Sequence, residues 1–302
     1  GPVSDAGWYA GAYEGLMLLR DSLGAHVSHQ QTRTPAEFDE AFLSYASMDY
    51  DLIFAHGSEY TDAAMRAAAS FPGTTFIVSG GGRYSDNVVP LIFGLEEASY
   101  LAGMVAAGVS ESGIVGMIGG VATPAAQGTF RAFEAGALAV DPEVQVLEAF
   151  TGNWDDVAAA KEAAVAQLRR GADVLIHNVD AASFGVFQAV REAAQAGRTA
   201  WALGMNGDQN AIAPEVILGS AVLRIPRAFL ETVTAWQTGG LGGQPLYTGT
   251  GQEVVEFVLN PLLANRVPDD LRARVEEARA LILAGALEVP RVAYVADEPG
   301  AP

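Results

Sequence analysis

From residue 52 to residue 259 the chain alternates short, continuously apolar runs with longer stretches in which apolar residues recur every three or four positions. Few folds accommodate that rhythm. A strand that is apolar along its whole length must be buried on both faces, as in a parallel sheet covered by helices. Amphipathic helices between such strands make βαβ units with right-handed crossovers. Strands are expected near 26–29 (weakly), 52–55, 75–79, 88–93, 114–118, 144–150, 174–177, 200–204, 216–222 and 254–259. Tyr9, Tyr13, Leu16, Leu19 and Leu23 form a helical stripe. Thr34-Pro35-Ala36-Glu37 is a helix start, with Thr as N-cap, Pro at N1 and Glu at N3. Further helices are expected over 60–70, 97–109, 124–140, 154–170, 184–196, 226–238 and 269–284.

Two sheets account for this pattern better than one. Ser110-Glu111-Ser112-Gly113 interrupts the rhythm before a fresh strand, and a second run of βα units continues to about Gly243. The expected fold is α/β and two-lobed, each lobe a parallel sheet flanked by helices. Residues 1–110 plus 246–302 would form an N-terminal lobe and residues 111–245 a C-terminal lobe, the last strand and helix returning to the first. The opening Gly1-Pro2-Val3-Ser4-Asp5 reads like the loop after a strand. A targeting segment and a first strand are therefore expected upstream of it.

Charge and composition exclude several function classes. Among 302 residues, 17 Lys and Arg face 36 Asp and Glu, a net charge of −19, and Lys161 is the single lysine. Such a surface repels phosphate backbones and anionic lipid, so nucleic acid is not an expected partner. With no cysteine, disulfides, thiolate metal sites and thiol catalysis are ruled out. No apolar run approaches the ~18–20 residues that span a bilayer. The glycine runs at 80–82 and 116–120 match neither a phosphate-loop nor a dinucleotide spacing. No GxSxG or HExxH motif and no clear Ser/His/Asp order appears. The expectation is a protein that is not an enzyme and carries no cofactor or metal.

In parallel sheets, ligands sit beyond the C-terminal ends of the strands. The loops there are rich in Gly, Ala, Ser, Asn and Asp, with flat side chains interspersed. Candidate ligand-binding residues are Asp5, Trp8, Tyr9, His56, Glu59, Asp180, Phe184, Asn206, Asp208 and Arg224. Each has a structural alternative. Asp5 and Asp180 precede helices and suit an N-cap as well as a ligand. Tyr9 falls on the core stripe of its helix, whereas Trp8 lies off it and is free to offer a ring face. His56 ends a buried strand and suits a satisfied core histidine; His177 is ambiguous in the same way. Trp154 suits a helix start.

Seven segments together resemble one family: 1–16 (GPVSDAGWYAGAYEGL), 51–60 (DLIFAHGSEY), 100–107 (YLAGMVAA), 113–120 (GIVGMIGG), 133–140 (FEAGALAV), 151–155 (TGNWD) and 204–209 (GMNGDQ). The chain is similar to the basic membrane protein family, purine-nucleoside-receptor-like substrate-binding lipoproteins of ABC transporters. The resemblance implies a type I periplasmic-binding-protein fold with a purine nucleoside or base bound between the lobes. It implies that Asp5 is the acidic residue of the first loop and that Trp8 is the aromatic that stacks on the base. Tyr9 replaces a common Asn. Asn206 stands where nucleoside binders carry an Asp for the ribose hydroxyls, and Leu223 where they carry a Lys, with Arg224 adjacent. The expected function is hinge closure of a monomer around a purine base, nucleoside or related heterocycle, presented to an ABC permease outside the cytoplasm, in the periplasm or lipid-anchored on the cell membrane. Alternatives are a ligand-sensing regulator on the same fold or a hydrolase with a cleft carboxylate pair.

Overall fold

The helix start read at Thr34 forms as a full capping box. The Thr34 hydroxyl accepts from the Glu37 N–H at 3.4 Å, and Glu37 Oε2 accepts from the Thr34 N–H at 3.2 Å. Thr123 also caps its helix, its hydroxyl accepting from the Ala126 N–H without a returning bond. The helix expected from residue 154 begins instead at Val157. Asn153 Oδ1 accepts from the backbone N–H groups of Asp155 and Asp156, which holds a turn, and Asp156 becomes the cap.

The computed structural model describes residues 7–291. In chain order these form α1 (Trp8–Leu23), α2 (Pro35–Ser47), β1 (Leu52–His56), α3 (Thr61–Ser70), β2 (Thr75–Ser79), β3 (Val88–Phe93), α4 (Leu95–Val109), β4 (Ile114–Gly119), α5 (Pro124–Val140), β5 (Gln145–Phe150), α6 (Val157–Arg169), β6 (Val174–Asn178), α7 (Ser183–Gln195), β7 (Trp201–Asn206), β8 (Ile217–Leu223), α8 (Ile225–Gln237), β9 (Leu246–Thr248), β10 (Val255–Leu259) and α9 (Asp269–Leu283). The weak strand expected at 26–29 is not among them.

Two sheets result. The first has the order β1-β2-β3-β9, all parallel; the second is β10-β8-β7-β6-β4-β5, parallel except for β10. In the first lobe, α1 and α8 cover one face and α2 and α3 the other. The α1–α8 contact is close because Gly11 and Gly15 admit Ile225 and Phe229: a Cβ at either glycine would lie within 2.9 Å of those side chains. In the second lobe, α6 and α7 bury Ala160, Ala164, Leu168, Val186 and Val190 on one side of the sheet.

The chain crosses between sheets after β3, after β8 and after β9, and this revises the expected lobe limits of 1–110 plus 246–302 and 111–245. Helix α4 packs on α5 and on the strands of the second sheet, so that lobe begins near Gly94 rather than at 111. Helix α8, from Ile225, returns to the first lobe about twenty residues before the expected boundary. The last strand and helix do not return there. β10 pairs antiparallel with β8, and α9 buries Leu271, Val275 and Ala278 against Tyr100, Leu101, Met104 and Val105 of α4. Only β9, three residues long, joins the first sheet. The reason is burial: β8 and α4 carry apolar surface that β10 and α9 cover.

Candidate functional site

Residues at strand ends of the two sheets approach one another: a Cβ on Gly7 would lie 3.4 Å from the Asn206 Cβ, and Asp180 and Asp155 of the second lobe lie close enough to Tyr9 to shift its phenol. On the first-lobe side, β1 ends in His56 and α1 begins at Trp8. The His56 imidazole is held by both nitrogens. Nε2 donates to the Trp8 carbonyl at 3.1 Å, and that assignment leaves Nδ1 to accept from the Ser79 hydroxyl at 2.9 Å. Burial holds the ring neutral, with its pKa lowered to about 3. His56 therefore has no ring nitrogen left for a ligand. It supports Trp8 instead: the indole stacks on it with centroids 3.9 Å apart, and meets Phe93 edge-on at 5.7 Å.

Tyr9 follows on the same turn of helix. Burial pushes its phenol well above the ordinary value, and the carboxylates of Glu59, Asp180 and Asp155 add to the shift. Those three acids come from both lobes, so Tyr9 looks across the cleft. Glu59 reaches the surface, yet desolvation by its surroundings raises its carboxyl above the usual range. Gly57 makes room for it, with φ at 150° and its absent Cβ position 2.4 Å from Glu59 Oε2.

The second lobe contributes Asn206 at the end of β7. Its φ is +70°, a left-handed conformation that Asn tolerates better than most residues. Only 8% of Asn206 is exposed, and its side-chain amide makes no hydrogen bond among the described residues. A Cβ on Gly7 would lie 3.4 Å from the Asn206 Cβ, so the two lobes touch here, one residue before Trp8. The neighbouring loop is braced by Gln209, whose Oε1 accepts from the Met205 N–H at 3.0 Å and pairs with His177 Nε2 at 2.8 Å. His177 is buried and neutral, its pKa lowered to about 4 by desolvation. It is a core histidine.

The remaining expected residues differ in their surroundings. Asp180 sits in the loop before α7, its N–H bonded to the Trp154 carbonyl at 3.0 Å. Trp154 itself packs on Gly120 and is structural. Phe184 is 46% exposed at the start of α7. Asp208 is exposed and accepts from the Asn210 N–H in its own turn. Arg224 is exposed and ion-paired to Glu256 of the edge strand β10. Asp5 lies outside the described residues. The structure thus gathers Trp8, Tyr9, His56, Glu59, Asp180 and Asn206, and leaves Asp208 and Arg224 engaged with local partners. Sequence reasoning passed over Gly7 as the interlobe contact and Gln209 as the brace. A glycine directly before a helix, and a glutamine three residues after a left-handed Asn, were the available signals.

Among the described residues no group of three His, Asp or Glu side chains is arranged to hold a metal ion. No helix among them is long and apolar enough to cross a membrane.

Residues 1–286 match the family described as ABC transporter substrate-binding protein, PnrA-like. A purine-binding protein of Brucella abortus is 27% identical over 290 residues, covering 95% of this chain and 80% of that one. A transcriptional activator protein of Bacillus subtilis is 25% identical over 275 residues, covering 90% and 83%. The solved structure of a solute-binding protein of an ABC transporter system from Aeropyrum pernix superposes with a TM-score of 0.80 at 21% identity, covering 93% of this chain and 88% of that one. At that identity the likeness speaks for the fold, which is the two-lobed type I periplasmic-binding-protein fold.

Proposed function

Because the chain belongs to the PnrA-like family of ABC transporter substrate-binding proteins, whose members bind rather than transform their ligands, we propose that it captures a purine base, nucleoside or related heterocycle between its lobes and delivers it to an ABC permease outside the cytoplasm. The observation that carries this reading is Asn206. Its side-chain amide bonds no other described residue while its polar atoms stay open to solvent, so a ligand there can take the place of water. It touches Gly7, the residue directly before Trp8 and Tyr9. A planar heterocycle with donor and acceptor edges matches a ring face flanked by amide and carboxylate groups. Ligand touching both lobes stabilises the closed form over the open one, so binding is read out as closure.

The purine-binding relative from Brucella abortus supports the ligand class. The test is mass spectrometry of whatever small molecule co-purifies, followed by calorimetry of adenine, adenosine, guanosine and uridine on ligand-stripped protein. Purine binding that is weakened in Trp8→Ala is the expected result. Binding of uridine alone, or of none of the four, would overturn the ligand class.

The likeness to a transcriptional activator of Bacillus subtilis favours a second reading, a ligand sensor on the same fold. Uptake of labelled ligand by cells lacking the protein separates the two: an importer subunit is required for uptake, a sensor is not.

A further inference from the structure

Hydrogen bonds tie the first and third crossings between the sheets to each other. In the first, Gly94 follows β3. Its N–H donates to the Thr248 carbonyl of β9 at 2.7 Å, and its carbonyl accepts from the Glu97 N–H of α4 at 3.0 Å. In the third, Gly249 follows β9. The Thr248 carbonyl before it is the one that Gly94 holds, and the Thr250 N–H after it donates to Glu97 Oε2 at 2.8 Å. Each glycine therefore has one flanking peptide bonded within the first lobe and the other bonded to α4 of the second. The two glycines lie against each other: a Cβ on Gly94 would sit 3.4 Å from the Gly249 Cα. Rotation of one lobe on another is absorbed by a few backbone angles at the ends of elements. In these two crossings, the angles left to absorb it are those of Gly94 and Gly249. The second crossing joins the third through the Arg224 N–H, which donates to the Val254 carbonyl at 2.7 Å.

Glu97 is built into this place. It is 9% exposed, and its other carboxylate oxygen, Oε1, accepts from Arg291 at 2.6 Å. Arg291 follows Val289, which is buried against α4 and α9. The first turn of α4 also favours an anion. Gly249 makes room for the carboxylate, since a Cβ there would lie 2.8 Å from Oε2. The adjacent Glu96 turns instead toward Gly128 of α5. We propose that Gly94 and Gly249 are paired pivots of lobe closure, and that Glu97, anchored by Arg291, is the positioning residue that keeps them on one axis. The clasp fixes Thr250 to α4, so the third crossing turns only where the first does. Without it, the turn that follows Gly249 can move with either lobe, and the lobes sample a wider range of separations. The inference concerns the lobes themselves, whichever ligand they close on.

The chain has no cysteine, so nitroxide labels on Glu40→Cys in α2 and Glu162→Cys in α6, both exposed, report the distance between lobes by electron–electron resonance. Ligand-stripped protein is measured unaltered and as Glu97→Ala, Glu97→Gln and Arg291→Gln, together with amide hydrogen exchange at Thr250. The expected result in Glu97→Ala is a distance distribution about twice as broad, with Thr250 exchanging at least about tenfold faster. Glu97→Gln and Arg291→Gln should broaden the distribution less. Faster exchange at Thr250 with an unchanged distribution would overturn the proposal, because Glu97 would then only cap a turn. If Glu97→Ala fails to fold, Arg291→Gln carries the test, at a side chain that is 45% exposed; an unchanged distribution there would overturn the proposal equally.

Discussion

The indole of Trp8 lies on the imidazole of His56, ring centroids 3.9 Å apart and planes inclined by 27°. The carbonyl of Trp8 also accepts from that ring, so the pair is locked by backbone and by stacking together. One face of the indole is thereby covered by protein. If the other stacks on a base, Trp8→Ala removes a stacking contact worth roughly 1–3 kcal/mol, a weakening of about 5- to 150-fold. Calorimetry with adenine and adenosine measures it. Unchanged affinity would make Trp8 a packing residue for His56 and Phe93.

If Asn206 faces the sugar of a bound nucleoside, an amide there in place of an acid forgoes a charge-assisted bond, and such bonds are roughly twice as strong as neutral ones. Adenosine is therefore expected to bind no more than about tenfold tighter than adenine, a margin of about 1.4 kcal/mol. Asn206→Asp should widen it, and Asp tolerates the left-handed backbone there. Paired calorimetry of the two ligands on both proteins decides it. A several-hundredfold adenosine preference in the unaltered protein would mean that other residues hold the ribose.

Buried Glu96 and His177 and half-buried His56 contribute to the acid response. The pKa of His56 is lowered to about 3 and that of His177 to about 4, so between about 4.5 and 6.5 the unfolded chain takes up two protons that the folded one refuses. Stability then falls as pH drops. Glu96 acts oppositely: burial raises its carboxyl to about 7, so in the same window the folded chain keeps a proton that the unfolded one releases. The net slope from these groups is about one proton, or about 1.4 kcal/mol per pH unit. Glu96→Gln should roughly double it and raise stability at pH 7 relative to pH 4.5. Urea unfolding from pH 4.5 to 7 measures both slopes; equal slopes would refute the assignment of Glu96.

The α4–α5 contact depends on two glycines. A Cβ at Gly103 would lie 2.0 Å from the Phe133 carbonyl oxygen, and one at Gly136 would lie 1.9 Å from that of Tyr100. Both obstacles are backbone, so the helices must separate. Gly136→Ala should destabilise the protein by about 3 kcal/mol or more, at the upper end of overpacking costs. Denaturant unfolding reads this directly, and a loss under about 1 kcal/mol would show that the crossing is adaptable. The stretches 100–107 and 133–140, which carry the family resemblance, thus hold two helices together rather than contact ligand.

By itself the sequence determined nearly every helix and strand, the parallel sheets, and the loops from which the cleft is built. Those features are local: a run such as 174–177 is apolar throughout, Thr34 and Thr123 cap the helices they precede, and strand ends carry the small polar residues. Only the tertiary structure decided which sheet each element serves. An amphipathic pattern states which face of a helix is apolar, not which surface will cover it, and α4, α8, β10 and α9 could each reach either lobe from where the chain leaves them. Close fit settled the matter, through Gly103 and Gly136 for α4 and through Gly11 and Gly15 for α8. The same holds within the cleft. His56 reads as a polar residue ending a buried strand and Asn206 as one in the loop just after a strand, and only their surroundings separate them. His56 finds Ser79 and the Trp8 carbonyl across the fold, while the Asn206 amide meets no protein partner. Hydrogen-bond satisfaction is a property of three-dimensional neighbours, which no spacing along the chain encodes.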